Sequence, residues 1–280
     1  MQQENYLIEN PPIRILDAIR IKYLVSVQTK ITGLSKEQHN TITYELEIDY
    51  TGDGFFDRWE KSNFSINGGK VFGKMDELYL KASKPIENLV FKYKKGKIDE
   101  LYNYTEILKK WELAKSCILD EFQGEIVDAL IVNTDENMYD KELLTTIVSN
   151  NLILQGIMKS TLNDPLIYYG TSIDKTMYSG LMGAISLLFS QKKSLGLKGN
   201  KLELKTSAVL QIEQKEHVAM AFYLKKINPD FSMEKLHATI ESTALLDYKT
   251  IWIDTSKTMY TLWVEDSKYK KEITIILKKQ

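Results

Sequence analysis

Apolar residues alternate with polar ones along several stretches of the chain, and this period of two constrains the fold more than any other feature. The clearest stretch runs from Ile42 to Tyr50, where every second residue is apolar and Thr, Glu and Asp lie between. Such alternation is typical of a strand with one buried face and one face in water. The turn-forming sequences Thr51–Gly54 and Lys95–Gly96 favour hairpins between such strands.

The same alternation returns near the carboxyl end and predicts further strands there. The apolar positions are Leu202, Leu204, Ala208, Leu210 and Ile212, then Val218, Met220, Phe222 and Leu224, then Ile251, Ile253, Tyr260, Leu262 and Val264, and finally Ile273, Ile275 and Leu277. A polar turn at Glu213–Glu216 separates the first two groups. The sequence therefore predicts strand-rich regions at both ends of the chain.

The middle of the chain has helical periodicity instead. One apolar stripe, with Thr105 as its predicted N-cap, contains Ile107, Leu108, Trp111, Ile118 and Phe122. Gly124 is predicted to end that helix. A second stripe lies between Leu143 and Met158, and a third between Met177 and Phe189, with Ser172 or Asp174 as its cap.

The order of strands, helices and strands predicts an α+β class with antiparallel sheet. Three regions follow: a β-rich region at 1–103, a helical region at 104–192 and a second β-rich region at 193–280. The sequence leaves open whether these form one composite domain and whether the two β-rich regions share a sheet.

Composition excludes several classes of function. The 280 residues include 37 basic and 38 acidic ones, so no charge excess favours nucleic acid. No apolar stretch reaches the roughly 18 residues that a membrane span needs. One cysteine, Cys117, allows no internal disulfide. The amino terminus lacks a signal-peptide pattern, so a cytoplasmic location is expected if this terminus is native.

One segment fits the spacing of a calcium-binding loop. Asp49, Thr51, Asp53, Asp57 and Glu60 fall at ligand positions, and Gly54 falls at the sharp turn. The residues before the loop have the pattern of a strand, whereas this kind of loop follows a helix. A hairpin turn is therefore the preferred interpretation, with calcium as the alternative; no other cofactor is predicted.

A second segment has the spacing of a phosphate-binding loop, from Gly68 through Gly73 to Lys74. Met75 stands where the hydroxyl that binds magnesium is needed, and a thioether is a poor ligand for that ion. A glycine turn that leads into a short helix is the preferred interpretation.

No nucleophilic constellation is visible. Cys117 lies on a helical stripe, where a cysteine is usually a small buried hydrophobe. His39, His217 and His237 form no pair with metal-ligand spacing. The sequence therefore favours a protein that is not an enzyme, and leaves an enzyme with a dispersed site as an alternative.

The segments LVFKYKKGKIDELYNY (residues 89–104) and EILKKW (residues 106–111) resemble uncharacterised β-rich proteins of Bacteroidetes-type bacteria. The resemblance implies a helix that follows a glycine turn and packs on a sheet. It covers about residues 89–111, brings no catalytic residue, and bears on the fold more than on the function. Proteins of that kind are typically exported, and this amino terminus has no signal.

The leading functional prediction is a non-catalytic protein that binds another protein, such as a bacterial immunity protein, a chaperone or a secretion-system accessory. Its anchors would be aromatic residues near turns, because aromatics dominate interface energetics. These residues are Phe55, Phe56, Trp59, Tyr102, Tyr104, Trp252 and Trp263. The alternative from another class is a carrier of a small or lipid-like molecule, with an apolar pocket between sheet and helices.

Overall fold

Antiparallel sheet dominates the protein. The computed structural model describes residues 18–69, 73–94, 96–161, 171–212 and 217–280. Of these residues, 51% lie in strands and 32% in helices. The predicted α+β class is therefore wrong: strands do flank a helical middle, but the architecture is one 11-stranded antiparallel sheet with helices added. The predicted turn at Glu213–Glu216, Lys95 of the second hairpin and Lys70–Phe72 lie outside the described residues.

The strand order follows the chain almost throughout. It runs β5-β4-β3-β2-β1-β11-β10-β9-β8-β7-β6, so β1 beside β11 is the one pair that is distant in sequence. Their pairing puts the two strand-rich ends into one sheet, a point that the sequence left open. The bounds are β1 Ile19–Thr32, β2 Gln38–Gly52, β3 Phe55–Ile66, β4 Asn88–Lys94, β5 Lys97–Leu101, β6 Thr171–Gly180, β7 Gly183–Lys198, β8 Lys201–Gln211, β9 Leu236–Asp247, β10 Ile253–Val264 and β11 Lys270–Lys279.

Six helices accompany the sheet in the described part of the chain. They are α1 Lys74–Ser83, α2 Tyr104–Glu121, α3 Glu125–Tyr139, α4 Lys141–Ser149, α5 Leu152–Thr161 and α6 His217–Ile227. Short 3₁₀ turns lie at Lys84–Ile86 and Met233–Lys235. Among the described residues, no helix combines the length and the apolar character that crossing a bilayer requires.

The turn between β2 and β3 confirms the hairpin predicted at Thr51–Gly54. Gly54 has a positive φ of 80°, and its N–H donates to the hydroxyl of Tyr50 at 3.0 Å. A Cβ at this position would lie 2.2 Å from the carbonyl oxygen of Tyr93 on β4. Only glycine fits both the left-handed backbone and this close approach.

Helix α2 follows its predicted stripe but begins differently. Ile107, Trp111 and Ile118 are buried, as expected. The helix starts at Tyr104, so Thr105 is not its N-cap. Asn103 holds the N-cap position and uses its side chain elsewhere: it accepts from the N–H of Val90 and donates to the carbonyl of Asn88, both at 3.0 Å. These bonds fix the start of α2 against β4.

The predicted helix at Met177–Phe189 is wrong, and neither Ser172 nor Asp174 caps one. This segment forms β6 and β7. Gly180 and Gly183 both have positive φ and lie at the tight turn between the strands. The apolar residues here recur at spacings that satisfy both a helix and a buried strand, so periodicity alone does not decide between them.

The predicted strand at Val218–Leu224 is wrong as well, because this segment is the helix α6. Its apolar residues occupy two faces of that helix. Met220 and Leu224 are buried, whereas Val218 and Phe222 are exposed. Met220 and Leu224 are four residues apart, and so are Val218 and Phe222. Because the two pairs are offset by two residues, their combined spacing is the same as that of alternate residues in a strand.

The described chain divides into two compact units. One contains Leu24–Ile42 and Asn150–Gln280; the other contains Thr43–Ser149 and the described part of Leu16–Tyr23. The second unit has an aromatic core, in which Phe56 stacks on Phe91 with ring centroids 4.8 Å apart and Trp59 meets Phe91 edge-on. The core of the first unit includes Tyr178, which meets Phe189 and Tyr260 edge-on.

Candidate functional site

A cavity of about 420 Å³ lies within the unit that contains Thr43–Ser149. Strand β3, helix α1, the 3₁₀ turn after it, the start of β4 and helix α2 all contribute to its wall. The side chains that matter most for its chemistry are Lys61, Lys81, Lys84, Lys110, Leu113 and Cys117. The volume lies within the range of 300–1,000 Å³ that is usual for small-molecule sites.

Backbone hydrogen bonds fix the floor of the cavity. The N–H of Lys61 on β3 donates to the carbonyl of Glu87 at 2.9 Å, which ties that strand to the 3₁₀ turn. Asn88 follows at once and is held by Asn103, through the bond to its main-chain carbonyl. The three cavity residues Lys61, Glu87 and Asn88 therefore have fixed backbones.

Helix α2 supplies the apolar wall. Leu113, Ala114 and Cys117 line the cavity, whereas Ile107 and Trp111 on the same helix are buried in the core. Leu113 is 70% exposed, which is high for a large aliphatic side chain in a cavity wall. Cys117 is exposed too, so the expectation that it is a small buried hydrophobe is wrong.

Two of the four lysines in the cavity are neutralised by neighbours. Lys81 forms an ion pair with Glu121 at 2.6 Å, and Lys110 forms one with Glu106, also at 2.6 Å. The hydrogen bond that Lys81 donates to Glu121 raises the pKa of Lys81. These two lysines therefore remain charged but are already paired.

The other two lysines, Lys61 and Lys84, form no ion pair with any described residue. Burial lowers the pKa of Lys61, an effect that Glu87 opposes. Burial also raises the pKa of Glu87, and the positive charges of Lys61 and Lys84 counteract that rise. The cavity therefore has two lysines without an ion pair to a described residue, Lys61 half-buried and Lys84 exposed, and burial disfavours the charges of both Lys61 and Glu87.

A further unsatisfied group lies in the wall. The side-chain oxygen of Asn88, Oδ1, is buried and receives no hydrogen bond from any described residue. A buried acceptor without a donor costs about 1–3 kcal/mol. Such atoms are rare in folded proteins; Asn88 lines the cavity, but its Oδ1 has no accessible surface of its own.

The aromatic residues proposed as anchors for a partner do not form one surface. Phe56, Trp59 and Trp252 are buried, so the exposure expected of them is absent. The remaining four are at least partly accessible, and two of them are neighbours: Phe55 meets Tyr102 edge-on with ring centroids 5.2 Å apart.

The other two accessible aromatics have local roles. The hydroxyl of Tyr104 donates to the carbonyl of Tyr139 at 2.9 Å, which joins α2 to the end of α3. Trp263 stacks on His237, with ring centroids 5.3 Å apart and planes 19° from parallel.

The residues of the proposed calcium loop lie along a hairpin. Asp49 on β2 pairs with Arg20 at 3.0 Å, and Thr51 and Asp53 lead into the turn. Asp57 and Glu60 follow on β3, and Glu60 lines the cavity beside Arg58, 3.7 Å away. Within the described ranges, no group of three or more His, Cys, Asp or Glu residues could hold a metal ion.

The remaining candidates from the sequence are the three histidines and the segment with phosphate-loop spacing. His39 is exposed on β2, and His237 lies 3.3 Å from Glu265. The side chain of His217 lies outside the described residues. In the segment with phosphate-loop spacing, Gly73 precedes α1, and its N–H donates to the carboxylate of Asp76 at 3.3 Å.

A second cavity lies in the other unit and is far smaller, about 20 Å³. The ammonium of Lys159 sits 3.5 Å from the ring centroid of Tyr178, and the ammonium of Lys193 donates to the carbonyl of Lys159 at 2.9 Å. This space is about the size of one or two water molecules.

Comparisons with known proteins bear on the fold. No family model and no curated protein matches the chain. A solved structure of lipovitellin, determined to describe its lipid–protein interactions, matches 93% of this chain with a TM-score of 0.51 and 10% sequence identity. The chain spans about a quarter of the lipovitellin chain, 25%. At this identity the likeness is one of fold alone.

Sequence reasoning missed the residues of the large cavity, Lys61, Lys84, Glu87 and Asn88. They come from three separate elements and match no motif. One signal was present: Lys81 and Lys84 lie three residues apart at the end of α1, just before Pro85. That spacing places two cations together at a helix end, but it does not reveal which of them lacks a partner.

Proposed function

We propose that the protein is a non-catalytic carrier that binds a lipid-like amphiphile in the large cavity. The observation that carries this proposal is an accessible cavity of about 420 Å³ with an aliphatic wall on α2. An alkyl chain would lie along Leu113 and Ala114. The lysine stems that surround the opening are themselves apolar and extend this surface.

The energetics favour a single alkyl chain. Each methylene that leaves water contributes up to about 0.8 kcal/mol, or up to about a fourfold gain in affinity. The fold gives general support to a lipid-like ligand. It is shared with lipovitellin, whose structure was described for its lipid–protein interactions.

Titration with alkyl ligands of increasing chain length tests the proposal. We expect saturable binding that strengthens by about two- to fourfold per methylene until the chain outgrows the cavity. The replacement Leu113→Asn should weaken binding about tenfold, because it removes apolar contact area worth at least about 1.4 kcal/mol. Isothermal titration calorimetry measures both effects.

A matched control lies on the same helix. Leu119 is also exposed, at 47%, and does not line the cavity. The variant Leu119→Asn should bind like the unmodified protein. Equal behaviour of the two variants, or no saturable binding of any alkyl ligand, would reject the carrier function.

A protein partner is the second candidate, and the pair of the half-buried Phe55 and the exposed Tyr102 favours it. Tyr102 is 48% exposed, and such aromatic pairs often anchor interfaces. Affinity purification from the native cell, with Tyr102→Ser as the comparison, tests this idea. A partner lost with that variant but retained by Leu113→Asn would support protein binding at the hairpin.

A further inference from the structure

Helix α6 has apolar residues on both of its faces, but only its inner face packs against the protein. The eleven residues of the helix, HVAMAFYLKKI, include two lysines and no Asp or Glu. Met220 and Leu224 on the inner face are fully buried. A helix that is apolar all round is normally buried on every side. The exposed outer face therefore has the composition of a surface that something else covers.

The outer face of α6 consists of Val218, Phe222, Lys225 and Lys226. These residues are spaced by four, three and one positions, so they lie along one stripe of the helix. Val218 is 83% exposed and Phe222 is 62% exposed. Two large apolar side chains that are this exposed on one stripe are typical of an interaction site.

Positive charge lies at the carboxyl end of the same stripe. Lys225 and Lys226 are exposed, and neither forms an ion pair with a described residue. The ammonium of Lys226 lies 4.5 Å from the ring centroid of Phe222. The exposed acidic residues Asp230 and Glu234 follow only after the helix has ended. The outer face therefore combines an apolar half with a cationic half.

The helix is held in place by its inner face and by the segment that follows it. Besides the buried Met220 and Leu224, the ring of Phe231 meets Tyr269 with centroids 5.4 Å apart. The N–H of Asn228 donates to the carbonyl of Leu224 at 3.0 Å and closes the last turn. Because α6 is already folded, a contact through its outer face does not require a disordered segment to fold.

We propose that the outer face of α6 docks on an anionic lipid surface. Val218 and Phe222 would enter the boundary between headgroups and acyl chains, and the two lysines would extend their ammonium groups to the lipid phosphates. A second copy of the chain fits less well, because its α6 brings no carboxylate to these lysines. The face lines neither of the two cavities, and a convex helix face suits a flat surface.

The proposal does not rest on the carrier function. The large cavity is lined by residues of the unit that contains Thr43–Ser149, whereas α6 belongs to the unit that contains Asn150–Gln280. Each unit can therefore be tested without the other.

Vesicle flotation with the full chain tests the proposal. One set of vesicles contains phosphatidylglycerol and phosphatidylcholine in equal parts, and the other contains phosphatidylcholine alone. We expect binding to the mixed vesicles and at least about tenfold weaker binding to phosphatidylcholine, because each lysine near an anionic surface contributes about fivefold. Added salt should reduce this difference.

Variants of the apolar half identify the contact. Phe222→Gln should weaken binding to the mixed vesicles about tenfold, because the ring no longer leaves water. Val218→Gln should weaken it by a smaller factor. The matched control is Val209→Gln, since Val209 is 56% exposed on β8 of the same unit. That control should bind like the unmodified protein.

Variants of the cationic half test the charge preference. The double variant Lys225→Gln with Lys226→Gln should bind both kinds of vesicle equally. Its control, Lys257→Gln with Lys278→Gln, removes the same charge from exposed positions on β10 and β11 and should keep the preference. A preference that survives the first double variant overturns the role of α6.

The other outcomes also decide. Absence of binding to the mixed vesicles overturns the proposal and leaves the face to a protein partner, and equal binding of the unmodified protein to both kinds of vesicle overturns the preference for an anionic surface. A dimer that forms at rising protein concentration and is lost in Phe222→Gln would assign the face to a second copy instead. Circular dichroism checks folding, and Val218→Gln replaces Phe222→Gln if the latter does not fold. The alkyl-ligand titration of the cavity is unaffected by any of these results.

Discussion

Asp247 closes the turn between β9 and β10 with one carboxylate oxygen. That oxygen accepts from the N–H of Lys249 at 3.0 Å, from the N–H of Thr250 at 2.8 Å and from the hydroxyl of Thr250 at 3.0 Å. Burial raises the pKa of Asp247, but the bonds from Thr250 and Lys249 outweigh it, so the pKa lies below its ordinary value. The turn therefore depends on a charge-assisted network.

The replacement Asp247→Asn should lower the free energy of unfolding by about 1 kcal/mol at pH 7, because the charge is lost while the shape is kept. A carboxyl with a depressed pKa in the folded state stabilises above its unfolded pKa, and that stability disappears as the pH falls through the folded pKa. The difference from the unmodified protein should therefore shrink below about pH 4. Urea denaturation at pH 7, 5 and 3 measures it. Asp230→Asn, on an exposed loop, is the control, and a difference that stays constant with pH would contradict the prediction.

At the scale of elements, Asp135 joins α2 to α3. Its two carboxylate oxygens accept from Nε1 of Trp111 at 2.8 Å and from the ammonium of Lys115 at 2.6 Å. Trp111 is fully buried, whereas Lys115 and Asp135 are each about a quarter exposed in their side chains. The buried hydrogen bond should therefore contribute more than the ion pair.

The variant Trp111→Phe should lower the free energy of unfolding by about 1.5–3 kcal/mol, because it removes a hydrogen bond to a charged group and reduces the filled volume. Lys115→Met, which removes the other bond to the same carboxylate, should cost about 1 kcal/mol or less. Chemical denaturation midpoints compare the two. A larger loss for Lys115→Met than for Trp111→Phe would show that the ion pair dominates.

The sequence predicted the elements whose buried residues lie on one face. Strand β2 and helix α2 are examples, since water on the opposite face makes their periods visible. The prediction failed at β6, β7 and α6, where apolar residues lie on both faces and helix and strand periods coincide. It also missed β9, in which Ser242 interrupts the apolar alternation.

The cavity could not be predicted from the sequence, for a different reason. Four lysines line it, and nothing local distinguishes Lys81, which Glu121 neutralises, from Lys61, which stays unpaired. That distinction depends on residues far apart in the chain. Aromatic residues near turns were a weaker guide to exposure, because Phe56 and Trp59 fill the core beside the same turn at which Phe55 is only half-buried.

At the scale of the whole molecule, a bound ligand should stabilise the protein by mass action. An alkyl ligand such as dodecanoate at about 100 times its dissociation constant should add about 2.7 kcal/mol to the free energy of unfolding, measured by denaturation with and without the ligand. The variant Leu113→Asn should gain less at the same concentration. Slower hydrogen exchange at α2 and the start of β4, with β8–β10 unchanged, would place the effect in the cavity; protection confined to β8–β10 would contradict that location.

One pair of neighbouring strands, β1 with β11, is far apart in sequence, and this separation affects how the sheet forms during synthesis. On one edge β1 gains β2, the next strand to be synthesised, but its other edge waits for β11, which begins at Lys270. At about 5–20 residues per second, that wait lasts roughly ten to fifty seconds. An open strand edge invites association with other nascent chains. Carboxylates on β2 pair with Arg20 and Lys22, at 3.0 Å from Asp49 and 2.7 Å from Glu45. Lys30 is exposed on β1, and a lysine on an open strand edge discourages association with another chain until β11 arrives.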